Sequence, residues 1–183
     1  MELQEAINQR RSIRKYKNID IPSKIIIDLL ECARISPSAK NIQPWKFYVA
    51  KGKIKDSIAD FMTDYAEKNG QEKYAGISST GAAIKEAPVL LLVFRDNDAP
   101  LERNDTLSIG SAIEHILLKA TEYQLGSLWI CATYQIRDKV SKLINTNLEL
   151  YSCIALGYAN ESPTARPRKK LEDIVINIED LIN

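Results

Sequence analysis

The chain has 183 residues, 45% of them hydrophobic, which suits one compact domain with a single core. Its 25 Lys and Arg stand against 24 Asp and Glu, so no strong overall field draws it to nucleic acid or a membrane surface, and any anion site has to be local. Cys32, Cys131 and Cys153 are far apart with no CxxC or Cys/His partner at metal spacing, so no metal site is indicated, and their odd number argues against a disulfide framework.

The opening Met1–Glu5 stretch is acidic and polar where a signal peptide would be basic and then apolar. No apolar run is long enough to span a bilayer, so the expected location is the cytoplasm. Leu3 to Arg11 reads as a short helix with Leu3, Ala6 and Ile7 on one side, followed by a basic stretch to Lys17. Pro22-Ser23 opens a second helix to about Ile35, with Ile26, Leu29, Leu30 and Ala33 as its apolar face and Pro37 as its stop. After a polar loop, Trp45–Ala50 alternates as a strand, and Ile54 to Lys68 returns to helical spacing through Ile58, Phe61, Met62 and Tyr65. Residues 69–81 favour no element.

Pro88–Phe94 is continuously apolar, as expected of a central strand covered on both faces. From Thr106 to Tyr123, the residues Ile109, Ala112, Ile113, Ile116, Leu117 and Ala120 recur at three- and four-residue steps. They predict a helix closed by Gly126, with Leu118 opposite the stripe and suggesting contact on a second side, such as with a partner subunit. Ser127–Ala132 and Tyr151–Leu156 read as two further buried strands, separated by a helix from about Ile136 to Ile144. The irregular mixture of helices and strands predicts an α+β layered fold over residues 1–183, without repeats or a linker.

Three clusters can carry chemistry. Arg10-Arg11-Ser12-Ile13-Arg14 crowds guanidinium groups and a hydroxyl into one turn, a donor set that suits phosphate; its ordinary reading is a solvated helix end. Ser36-Pro37-Ser38-Ala39-Lys40-Asn41-Ile42-Gln43-Pro44 is a polar loop fixed by prolines. Its amides can both donate and accept, as the edge of a flavin or nucleobase requires, although common turn residues also make plain connections. Arg166-Pro167-Arg168-Lys169-Lys170 sets two arginines about a rigid proline, to meet a phosphate or to serve as an exposed basic tail.

Together these pieces resemble the nitroreductase family. RRSIRKY is similar to its N-terminal phosphate motif and SPSAKNIQPWKF to its proline-bounded loop. The stretch from Ile109 through Leu125-Gly126-Ser127-Leu128-Trp129-Ile130 resembles its central helix and following strand, and LGYA with RPRKKLEDIV its closing signature. The resemblance covers nearly the whole chain, and residues 52–87 contribute least.

The resemblance implies a central mixed sheet flanked by helices, in an intertwined homodimer with FMN at the interface. Arg10, Arg11 and Ser12, joined by Arg166 and Arg168, are implied to hold the FMN phosphate and ribityl chain, and Arg14 to stand near the pyrimidine end of the ring, where a fixed charge stabilises the reduced flavin. Pro37, Ser38, Ala39 and Asn41 are implied to approach from the other subunit. Ile130, Cys131 and Ala132 match the strand end whose backbone faces flavin N5. His115, the only histidine, departs from the asparagine or glutamine usual there; the residue reading favours a hydrogen-bonded interface group over a proton donor. Lys85 is a candidate for a ring contact, and Phe61, Tyr65 and Tyr74 lie where the family often forms a lid, though their helical spacing also suits a core.

The implied activity is ping-pong: NAD(P)H is a transient co-substrate that passes hydride through flavin N5 to a nitroaromatic, quinone or related small-molecule electron acceptor. The chain has no Ser/His/Asp, Cys/His or paired-carboxylate constellation and no GxGxxG after a strand, so the cofactor has to carry the chemistry. The alternatives are a flavin-dependent dehydrogenase or dehalogenase of one metabolite on the same fold, and a protein that meets RNA or an acidic partner through its basic clusters.

Overall fold

The computed structural model describes residues 1–100 and 102–177, and its elements follow the expected order with informative differences. Helices α1 (Leu3–Gln9) and α2 (Ser23–Arg34) lead through a 3-10 turn at Ala39–Asn41 to strand β1 (Trp45–Ala50). Helices α3 (Gly52–Asn69) and α4 (Ala75–Glu86) precede β2 (Val89–Arg95) and the long α5 (Glu102–Glu122). Strand β3 (Leu125–Ile130), helix α6 (Arg137–Leu143) and strand β4 (Glu149–Tyr158) complete the core, and a second 3-10 turn spans Leu171–Asp173.

The four strands form one sheet in the order β1-β2-β4-β3, and every pairing between them is antiparallel. The α+β class is therefore as expected. Among the described residues, the one parallel pairing is an isolated bridge between Ser12 and Ser127. Strand β2 is apolar from Val89 to Phe94 because both its faces are covered. Leu90, Leu92 and Phe94 join Ile58 and Met62 of α3, Ile84 of α4 and Val140 of α6 in one buried cluster. Val89, Leu91 and Val93 join Leu29 of α2 and Ile113 and Ile116 of α5 in the other. Side chains alternate across a strand, so one uninterrupted run serves two cores.

Three local expectations change. Helix α4 forms within a segment the sequence left undecided, because Gly76, Ser78, Ser79, Thr80 and Gly81 are poor helix formers and packing supplies what propensity lacks. A Cβ at Gly81 would come within 2.8 Å of Thr63 Oγ1 and 2.9 Å of the Ala59 carbonyl, so the glycine lets α4 lie close on α3. At the end of α5, Gln124 and not Gly126 takes the left-handed conformation (φ 58°), and Gly126 lies inside β3. Of the apolar residues expected along α1, only Ala6 is buried. Leu118 lines a groove with Leu3 and Ala6 of α1 and with Ile35. No helix among the described residues is long and apolar enough to cross a membrane.

Candidate functional site

The basic segment after α1 has no regular structure of its own and is held by the ends of β3 and β4. The Ile13 N–H donates to the Ser127 carbonyl (2.9 Å), the Lys17 N–H to Tyr158 (2.8 Å) and the Asn160 N–H to Lys15 (2.9 Å). Gly126 and Gly157 are register partners in the β3–β4 ladder, and they make room for this crossing. A Cβ on Gly126 would come within 2.8 Å of Ile13, and one on Gly157 within 2.7 Å of the Tyr16 ring and 2.6 Å of Pro88. Ile13 and Tyr16 are thereby buried, and the residues between and before them turn outward.

The Tyr16 hydroxyl donates to the Ile13 carbonyl at 2.7 Å, with the Ala155 carbonyl at 3.3 Å. Burial, reinforced by the nearby Glu161 carboxylate, pushes this phenol far above its ordinary range, so it remains a neutral donor. The Glu161 carboxylate accepts from the backbone N–H groups of Arg14 and Lys15, and Glu86 accepts from that of Tyr16 (3.2 Å). The orphan donors of an irregular segment are thus satisfied by carboxylates from distant parts of the chain.

This arrangement lines Arg10, Arg11, Ser12 and Arg14 along one wall of a cavity of about 310 Å³. Pro163, Thr164, Arg166 and Arg168 line the same cavity. Among the described residues, the one ion pair of these five guanidinium groups joins Arg10 Nε to Glu114 at 4.0 Å, while Glu161 is bonded to the backbone of Arg14. Arg11 Nη1 donates to the carbonyls of Asn8 (2.6 Å) and Arg10 (2.8 Å), and Arg14 Nη1 to that of Ser12 (3.2 Å). Guanidinium groups concentrated in a concavity, held by carbonyls and barely countered by carboxylates, fit a dianionic phosphate. Pro163 and Thr164 were not foreseen. Their signal was the run Pro163-Thr164-Ala165-Arg166-Pro167, whose prolines stiffen the segment that lines the cavity.

The proline-bounded loop lies elsewhere. Pro37, Ser38 and Ala39 line a separate depression of about 280 Å³ with Asn104, Leu107, Ser108 and Ser111 of α5, and Asn41 is not among its lining residues. Lys40, Asn41 and Gln43 have φ values of 52°, 56° and 52°, sparsely populated for residues with a Cβ. Bonds across the loop and to α5 hold them: the Gln43 N–H donates to Ser38 Oγ (3.0 Å) and the Ala39 N–H to Ser108 Oγ (3.2 Å). Ile130 is buried at the end of β3, Cys131 is exposed and Ala132 half-buried, and none of the three lines either cavity.

Lys85 is engaged at the surface, its ammonium 2.6 Å from Asp60, whose hydrogen bond holds it above the usual lysine range. Phe61, Tyr65 and Tyr74 are half-buried against the α3/α4 side of the core, with Tyr65 and Tyr74 in an edge-to-face contact at 5.3 Å. His115 lies on α5 beside the loop, its Nδ1 2.7 Å from Ser36 Oγ.

The family model of the nitroreductase family matches residues 7–158. The chain belongs to the nitroreductase family. The match takes in the basic segment, the loop, the central helix and the sheet, and Arg166 and Arg168 lie beyond it. Among nitroreductase relatives, the chain is 31% identical to a provisionally named NADH dehydrogenase/NAD(P)H nitroreductase of Methanothermobacter thermautotrophicus, over 91% of this chain and 82% of that one. It is 30% identical to the iodotyrosine deiodinase of Thermotoga neapolitana, over 92% of this chain and 95% of the other. A crystal structure of a provisionally named nitroreductase from Desulfovibrio desulfuricans in complex with FMN superposes with a TM-score of 0.77 at 26% identity, covering 97% of this chain and 96% of that one.

Proposed function

We propose that this nitroreductase-family chain is an FMN-dependent oxidoreductase that takes reducing equivalents from NAD(P)H and delivers them to a nitroaromatic, quinone or related acceptor in two separate half-reactions. The observation that carries the reading is the cavity lined by five arginines, whose guanidinium groups, among the described residues, make one ion pair, that of Arg10 with Glu114. A concave site selects a small anion over an extended polyanion, which disfavours RNA as the occupant. The FMN bound by the Desulfovibrio protein supports the choice of anion.

Arg10, Arg11, Ser12, Arg166 and Arg168 hold the phosphate and the neighbouring hydroxyls, the forks of the guanidinium groups fixing its orientation. Arg14, exposed at the end of the same wall, sets a permanent positive charge beside the pyrimidine end of the ring, where reduction adds negative charge. Pro37, Ser38, Ala39 and Asn41 serve the site of a second subunit, in keeping with their separation from the arginine cavity, and the backbone at Ile130, Cys131 and Ala132 borders the reacting edge. Leu107, 68% exposed beside the loop depression, supports a homodimer that covers this face. When bound, FMN supplies the hydride-accepting and hydride-donating chemistry. The protein acts in the cytoplasm, and its acceptor is a small molecule.

Anaerobic mixing of the purified protein with NADH or NADPH tests this. The flavin absorbance should bleach, and a nitroaromatic or quinone should restore it faster than air does. A second reading, reductive dehalogenation of one metabolite, is favoured by the Thermotoga deiodinase, which matches over most of both chains. Restoration of absorbance by a halogenated phenol, with release of halide and indifference to nitro compounds, would select it.

A further inference from the structure

His115 stands at the junction of the proline-bounded loop and the central helix. Its Nδ1 lies 2.7 Å from Ser36 Oγ and 3.2 Å from the Cys32 carbonyl, and Ser36 Oγ lies 3.2 Å from the same carbonyl. The arrangement of these three atoms favours one tautomer. An unprotonated Nδ1 would set its lone pair against the carbonyl of Cys32, two acceptors facing each other at 3.2 Å in a partly buried place. With the proton on Nδ1, the imidazole donates to Ser36 Oγ and the Ser36 hydroxyl donates to the Cys32 carbonyl, so every group is satisfied. Ser36 is only 5% exposed, and its backbone N–H is bonded to the Ala33 carbonyl (3.1 Å), so the hydroxyl has little freedom to find water instead.

Seven residues earlier, two turns away on the same face of α5, Ser108 Oγ accepts the Ala39 N–H. The central helix therefore grips the loop at both ends of the Ser36-Pro37-Ser38-Ala39 run. Beyond the grip, Lys40, Asn41 and Gln43 occupy left-handed conformations that a loosely held loop would relax. We propose that His115 is a positioning residue, which through a protonated Nδ1 fixes Ser36 and so presents the Pro37–Ala39 edge to the flavin of the second subunit. This assignment rests on the FMN reading.

Asparagine and glutamine discriminate the role. Asparagine at position 115 places an amide N–H where Nδ1 stands. Glutamine, nearer in size to histidine, carries its amide one methylene further out. FMN is titrated into flavin-free wild type and the variants His115→Asn, His115→Gln and Ser36→Ala, and followed by flavin fluorescence. The asparagine variant should keep wild-type affinity. The glutamine and Ser36→Ala variants should each bind FMN about threefold to tenfold more weakly, as the loss of one hydrogen bond implies, with no further loss when combined. Because the chain has one histidine, nitrogen-15 NMR gives a single imidazole, and its Nδ1 should carry the proton. An unprotonated Nδ1, a glutamine variant with wild-type affinity, or an asparagine variant as weak as the glutamine one overturns the assignment. A wild-type chain that binds no FMN overturns the FMN reading as well, whereas FMN binding indifferent to His115→Gln overturns only this one.

Discussion

Gly126 and Gly157 face each other across the β3–β4 ladder, and over this bare pair the arginine-bearing segment crosses the sheet, Ile13 above the first and Tyr16 above the second. The position of the cavity thus depends on two absent side chains. Gly157→Ala puts a methyl group 2.6 Å from Pro88 and 2.7 Å from Tyr16, neither of which can swing away. The expected cost is about 1–3 kcal/mol of stability, the usual range for overpacking, with weaker FMN binding because Arg10–Arg14 shift. Urea unfolding and FMN titration of the same variant check both.

Tyr16 gives the fold a pH dependence at its alkaline end. Its phenol is held far above the ordinary value of 10.0 by burial, so above that pH the unfolded chain loses this proton while the native protein keeps it. Unfolding then releases a proton, and stability falls as pH rises past 10; below that the group contributes no slope. Cys153, fully buried in the sheet, acts with the same sign from its ordinary value of 9.0 upward. Tyr16→Phe should be about 1–2 kcal/mol less stable at neutral pH, from the lost bond to Ile13. It should also lose stability less steeply than wild type above pH 10, as measured by chemical denaturation across a pH series.

Lys55 is a buried cation, and its environment explains why it is tolerated. Its ammonium donates to the carbonyls of Ile84 (3.0 Å) and Lys85 (2.8 Å), which end α4, and to Asp56 (2.7 Å). Lys55→Met keeps the stem and removes the cap, and it should cost about 1–3 kcal/mol by leaving two terminal carbonyls unsatisfied. Hydrogen exchange should quicken in the last turn of α4 before it changes in β2.

Much of this architecture is legible in the chain, and the parts that are not share a cause. The stripe of α5 and the unbroken run of β2 are periodic signals, because each element buries a defined face. Helix α4 is not, since its Gly76–Gly81 stretch becomes helical only through close approach to α3. Gly126 reads locally as a helix stop, yet the space over its missing side chain belongs to Ile13, more than a hundred residues away in sequence. The site divides in the same way. Clusters of arginine at both ends are visible as composition, whereas Pro163 and Thr164 carry no chemistry of their own and enter only because they complete the wall. The Ser36–His115 bond joins positions too distant for any local pattern to link.

The arginines themselves can be tested singly. Arg168→Ala removes one charge-assisted contact from the cavity and should weaken FMN binding about tenfold to a hundredfold, with an unchanged thermal transition in the flavin-free protein because Arg168 is exposed and outside the core. Arg10→Ala should weaken it less, since Glu114 already takes part of that charge.

The most direct test of the account compares FMN with riboflavin, which differs only in lacking the phosphate, by titration calorimetry against the flavin-free wild-type protein. If the five-arginine cavity holds the phosphate, FMN should bind at least about a hundredfold more tightly than riboflavin, as two charge-assisted contacts imply. Equal affinity for the two flavins, or no affinity for either, would contradict it.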